Sequence, residues 1–184
     1  LSLAHGPFHG DADARLALEA FRGTLHPSLD AGQFDQARLA MERPDPRVAL
    51  GVGLRGVASS AIDVSDGLLG DLGHVLQRSQ VGAALFVDEF PVSPCLQARS
   101  RDEQLNCILA GGDDYELVFT APPSARARVA QLGASLGLLL TRVGCIEAEP
   151  GLRLWRGGMD AGSAVREPVP NRWTSFDHFK GAAA

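Results

Sequence analysis

Between Ala61 and His74 the chain reads Ala-Ile-Asp-Val-Ser-Asp-Gly-Leu-Leu-Gly-Asp-Leu-Gly-His, and few folds accommodate that order of residues. A short apolar run delivers two carboxylates and a hydroxyl, Asp63, Ser65 and Asp66, to one turn, and a helical pattern begins at once. Leu68, Leu69, Leu72, Val75 and Leu76 fall at helical spacing and form a single apolar stripe. The stretch predicts a strand over 57–64, a tight turn, and a helix whose N-terminus is capped by Ser65 or Asp66. Side chains alternate along a strand, so Asp63 and Ser65 share a face. Gly67 lets backbone or a phosphate approach closely. Acidic groups this close repel one another unless a cation lies between them. Two carboxylates, a hydroxyl and a glycine suit a hard, oxygen-seeking ion such as Mg²⁺, carried with a nucleotide phosphate. Helix capping accounts for Ser65 and Asp66 as well as metal binding does. It does not account for Asp63, because a carboxylate ending an apolar strand is costly unless paired or bound.

The rest of the chain supplies a sheet and its covering helices. Helices are predicted over 11–22 and 34–42, the second broken by Arg43-Pro-Asp-Pro-Arg47, since proline disfavours helix in the residue before it. A buried strand over 83–87 precedes a weak helix over 99–110. A strand over 115–120, a helix over 124–137 and a strand over 138–146 follow. A hairpin over 151–158 and a loop over 159–171 complete the pattern, which predicts an α/β protein with helices covering a sheet.

At 184 residues the chain is long enough for one full domain. No apolar stretch approaches the roughly 18 residues a bilayer crossing needs, and no signal-peptide pattern is present. The net charge of -5 and the lack of a basic run argue against nucleic acid as partner. An acidic protein that handles phosphates needs metal ions or a few well-placed arginines. Cys95, Cys107 and Cys145 are odd in number and widely spaced, without a CxxC pair. That argues against a disulfide framework or a zinc site and suits a reducing cytoplasm.

Two further segments carry chemistry. Gly111-Gly-Asp-Asp-Tyr-Glu116 places two glycines and two acids before a strand, which fits either a cation-binding loop or a solvated turn. Trp173-Thr-Ser-Phe-Asp-His-Phe179 sets aromatics near the chain end, where they either seal a pocket or pin the tail to the core. Gly51-Val-Gly-Leu-Arg-Gly56 spells GxGxxG, but it precedes a strand instead of following one, so the dinucleotide geometry is absent. His74, beside the apolar stripe, reads as a packed or surface histidine.

In this order and combination the three motifs resemble the thiamine-monophosphate kinases. The likeness extends to Arg43-Pro-Asp-Pro-Arg47-Val48 and to Thr141-Arg-Val-Gly144, and so covers about residues 43–147 with 176–179. The 63–67 turn by itself indicates only the wider superfamily of aminoimidazole ribonucleotide synthetase and selenophosphate synthetase. The Gly111–Leu117 segment and the Phe176-Asp-His-Phe179 ending narrow it. The resemblance implies an α/β (α+β) fold, a three-layer α/β/α domain around a mixed β-sheet. It implies that residues 1–184 form the C-terminal, substrate-binding domain of a two-domain kinase, because the chain starts about where that domain should begin. The family's N-terminal domain, which supplies most nucleotide and Mg²⁺ ligands and the dimer interface, has no counterpart here, so the isolated piece is expected to be inactive.

By the same resemblance, Asp63 and Asp66 correspond to Mg²⁺ ligands and Ser65 to a nucleotide contact. Asp113 falls at an acidic position, often glutamate, that contacts the thiamine moiety. Phe176 falls at an aromatic position, often tryptophan, that packs on the substrate's rings. The implied reaction is direct transfer of the ATP γ-phosphoryl group to thiamine monophosphate, giving thiamine diphosphate, assisted by several Mg²⁺ ions. A homodimer in the cytoplasm, with neither nucleic acid nor membrane as partner, completes the expectation. Two alternatives remain open: another ATP-dependent enzyme of the superfamily, and a non-catalytic domain that binds thiamine phosphates or nucleotides.

Overall fold

The computed structural model describes residues 1–5, 13–24, 29–159 and 166–174. In chain order the elements are β1 (Ser2–His5), α1 (Asp13–Phe21), α2 (Ala31–Glu42), α3 (Val48–Gly53), β2 (Ser60–Asp63), α4 (Leu68–Ser79), β3 (Gly82–Phe86), α5 (Pro94–Gln97), α6 (Arg101–Ala110), β4 (Leu117–Thr120), α7 (Arg126–Leu136), β5 (Leu139–Arg142), β6 (Gly144–Glu147), β7 (Gly151–Arg156) and β8 (Glu167–Val169). A short 3₁₀ turn, Pro123–Ala125, leads into α7.

The α/β class with helices around a mixed sheet is as expected, but the strands divide between two four-stranded sheets. One runs β2-β4-β1-β5 and is antiparallel throughout. The other runs β6-β3-β7-β8 and is mixed, with β3 and β7 parallel. β3 is buried along its whole length, as its uninterrupted apolar sequence requires of a strand covered on both faces. β2 lies at a sheet edge and alternates between exposed and half-buried residues.

Two cores result. Along β4, Val118 and Phe119 point to opposite faces. Phe119 packs with Leu50 and Leu54 near α3 and with Val129 of α7. Val118 joins the larger core of α4, α6 and β3, among Leu68, Leu72, Leu85 and Ile108. The apolar stripe read from the sequence is therefore the face by which α4 enters this core.

Several local expectations are corrected. The second helix begins at Ala31, three residues early, because Asp30 and Gln33 form a reciprocal capping box. Helices α3 and α5 were not expected. The strand predicted over 57–64 shortens to Ser60–Asp63, since Val57 sits in a turn bonded to Leu54. The 138–146 strand breaks at Val143, which is fully buried and carries the chain from one sheet into the other. No hairpin forms over 151–158. Instead β7 is one strand, laid parallel to β3 and antiparallel to β8, and β8 itself lies in the segment expected to be loop. The GxGxxG segment runs through α3 into a turn, in keeping with its dismissal as a dinucleotide motif. His74 is exposed, as a surface histidine.

Candidate functional site

The edge strand β2 delivers the acidic turn to the surface, and β4 pairs with it so that Asp63 faces Leu117. Beyond that pair the two chains stay together without forming strand. Val64 N–H donates to the Glu116 carbonyl at 2.8 Å, Tyr115 N–H to the Val64 carbonyl at 3.1 Å, and Asp113 N–H to the Ser65 carbonyl at 3.0 Å. Gly112 lies so close to the Ser65 carbonyl that a Cβ there would collide with it. Two motifs separated by about fifty residues in sequence thus form one surface loop pair, placing Asp63, Ser65, Asp66 and Asp113 on adjoining backbone.

The turn is held from inside helix α4. Gly67 occupies the N-cap with φ +119° and ψ 143°, and no side chain caps the helix. A backbone of that kind is open to glycine and strained for other residues. Neither Ser65 nor Asp66 is the cap, contrary to the capping expectation. Asp71, in the helix's first turn and buried, accepts the Ser65 N–H at 2.9 Å and the Asp66 N–H at 3.1 Å with its Oδ2. Burial pushes the Asp71 carboxyl above its ordinary value, and these backbone bonds pull against that shift. Asp71 is therefore the group that shapes the turn. The signal available in the sequence was an acid four residues after the glycine.

Asp63 is exposed, so it escapes the desolvation cost anticipated for a carboxylate ending an apolar strand. The edge position of β2 is the reason. Ser65 and Asp66 are half-buried and Asp113 is exposed. Among the described residues no group of three or more His, Cys, Asp or Glu side chains is arranged to hold a metal ion. The two carboxylates nevertheless fit the protein's usual share of a Mg²⁺ site, which takes one or two carboxylates and completes its shell with phosphate oxygens and water. A cleft of about 750 Å³ opens elsewhere, at the Ser60 end of β2, with Thr120, Arg126 and Arg142 among its walls. It includes none of these residues, so the candidate residues lie at the loop pair and outside the cleft.

Behind the loop sits an ion pair the residue-level reading did not find. Arg47 Nε donates to Glu116 Oε2 at 2.7 Å and Arg47 Nη2 to Glu116 Oε1 at 2.5 Å, with both side chains buried. Nη1 reaches Asp45 Oδ2 at 2.6 Å. The carboxylate partner holds the Arg47 guanidinium pKa above its usual value. Two residues of this loop adopt left-handed backbone, Asp113 at φ 69° and Tyr115 at φ 53°. This is why β4 begins at Leu117 and not at Tyr115. Phe176, the remaining expected contact, lies outside the described residues. Trp173, just before it, is half-buried against the larger core, so this part of the tail is pinned.

No family model matches the chain. Among curated proteins, the thiamine-monophosphate kinase of Salmonella typhimurium is 39% identical over 172 residues, covering 92% of this chain and 50% of that protein. Over the residues it spans, this chain is similar to the thiamine-monophosphate kinases. It spans about half the length of the curated relatives it matches. The thiamine-monophosphate kinase of Stenotrophomonas maltophilia, known from a crystal structure, is 40% identical with a TM-score of 0.74, over 83% of this chain and 48% of that one. A ThiL protein complexed with AMPPCP and TMP shares the fold at 24% identity and a TM-score of 0.65, over 83% of this chain and 46% of that one. The Arg43–Val48 segment, read from the sequence as a helix break and as part of the likeness to these kinases, has a further physical role: Arg47 anchors the loop through Glu116.

Proposed function

We propose that this chain is the substrate-binding half of a thiamine-monophosphate kinase, which transfers the ATP γ-phosphoryl group to the phosphate of thiamine monophosphate. The observation that carries the reading is the closure of the 111–116 loop onto the 63–67 turn, through the Asp113–Ser65 backbone bond and the close approach of Gly112. That closure puts the proposed phosphate-handling residues beside the proposed thiamine-handling residue. The kinase homology supports it, and the neighbouring ThiL fold is complexed with AMPPCP and TMP.

Asp63 and Asp66 are the residues that would hold Mg²⁺, with Ser65 as a nucleotide contact. Bound there, Mg²⁺ would screen the repulsion between two anionic phosphates and stabilise charge on the transferring group. The acceptor phosphate is already an anion, so the chain needs no strong base. Asp113 offers a carboxylate to the cationic thiazolium, and Phe176 an aromatic face. We place the protein in the cytoplasm. No helix among the described residues is long and apolar enough to cross a membrane, and Cys95, Cys107 and Cys145 are free thiols. Homodimerisation belongs to the proposal for the whole protein.

The test is ADP release by a full-length kinase carrying this sequence, given Mg²⁺, ATP and thiamine monophosphate. Release that depends on thiamine monophosphate, with thiamine diphosphate appearing in step, is expected. Release without that dependence would favour another ATP enzyme of the superfamily, and no release, beside a competent control, would favour a non-catalytic binder.

A further inference from the structure

We infer that Tyr115 is a further substrate contact, presenting its ring to the cationic heterocycle of thiamine monophosphate; this rests on the kinase reading above. Tyr115 is placed for it. Its N–H donates to the Val64 carbonyl, between Asp63 and Ser65. Its backbone is left-handed, a conformation a bulky residue adopts only where its surroundings impose it. Those surroundings are specific. On one side Asp113 is bonded to Ser65 and Gly112 abuts the same carbonyl. On the other, Glu116 is clamped by buried Arg47 and its carbonyl accepts the Val64 N–H.

The residue so tightly fixed is nevertheless 41% exposed and belongs to neither hydrophobic core. Stability alone would favour glycine or asparagine at a left-handed position, or burial of the ring. Strained backbone and a displayed aromatic together fit a ligand contact. The neighbouring chemistry selects the ligand. Asp113, two residues before Tyr115, offers a carboxylate, and the face of a tyrosine ring attracts cations. A thiazolium satisfies both features; a phosphate satisfies neither.

Tyr115 is the one tyrosine in the sequence, so replacing tyrosine with 3-fluorotyrosine gives a protein with a single fluorine resonance. That protein is titrated with thiamine monophosphate while calorimetry follows binding to the same chain. The resonance is expected to shift with the calorimetric midpoint, and inorganic phosphate to leave it in place. Tyr115→Phe should keep the affinity within about twofold, and Tyr115→Leu, which retains bulk without the ring, should weaken it about five- to tenfold. Calorimetric binding with an unmoved resonance overturns the inference and leaves the kinase reading standing, and the fluorine result does not depend on whether the leucine variant folds. Absence of calorimetric binding overturns the assignment of this half to the substrate and the inference with it.

Discussion

Gly112 faces the Ser65 carbonyl with no room for a side chain between them. Gly112→Ala is therefore expected to push the loop pair apart, destabilising the protein by about 1–3 kcal/mol and weakening thiamine monophosphate binding. Thermal unfolding beside calorimetry checks both effects, and unchanged affinity would detach the loop from the site. Asp66→Asn in a full-length kinase should cut turnover strongly while leaving thiamine monophosphate binding nearly intact; equal turnover would remove Asp66 from the metal site. Away from the site, burial pushes the Cys107 thiol from 9.0 up to about 12. Because the folded value is raised, the stability contributed by the neutral thiol is fully present below pH 9 and is lost as the pH rises through about 12. At pH 8 iodoacetamide should accordingly label half-buried Cys145 in the native protein and Cys107 only on unfolding. Rapid native labelling of Cys107 would show that its burial is not maintained.

Among the elements, the Arg47–Glu116 pair decides how the loop before β4 is held. Both partners are buried, so Arg47→Ala leaves a stranded carboxylate and should cost about 3–5 kcal/mol in urea unfolding. Replacing both at once, Arg47→Met with Glu116→Leu, should recover much of that loss. If the double variant is no better than the single one, the stranded charge is not the cause. This pair also marks a limit of sequence reading. Arg47 and Glu116 stand 69 positions apart, and no local pattern links them. The strand β2, helix α4 and its apolar stripe were legible, because period-3.6 burial is a local signal. So was the capping box at Asp30 and Gln33, which a closer reading of that spacing would have found. The N-cap of α4 was misread because Ser65 and Asp66 are good caps by type. What excludes them is Gly67's backbone and a carboxylate one helical turn later.

In the molecule as a whole, two sheets meet where Val143 is buried between β5 and β6. Its N–H donates to the Leu1 carbonyl, just before β1, and its carbonyl accepts from Phe86 of β3, so one residue ties an inner strand of one sheet to the start of an inner strand of the other. Val143→Ala should cost about 2 kcal/mol, read as a lowered unfolding midpoint; a near-neutral result would mean the junction repacks. The residues alone determined the α/β class and a strand–turn–helix unit beginning at 57, and they marked Asp63, Ser65, Asp66 and Asp113 as candidates, because residue type, spacing and motif order are written locally. Only the tertiary structure decided that Asp63 is solvated at a sheet edge, that 138–146 serves two sheets, and that Gly112 and Tyr115 close on the acidic turn. Those outcomes depend on which distant strands pair, and pairing is settled by burial across the whole core rather than by any stretch of chain.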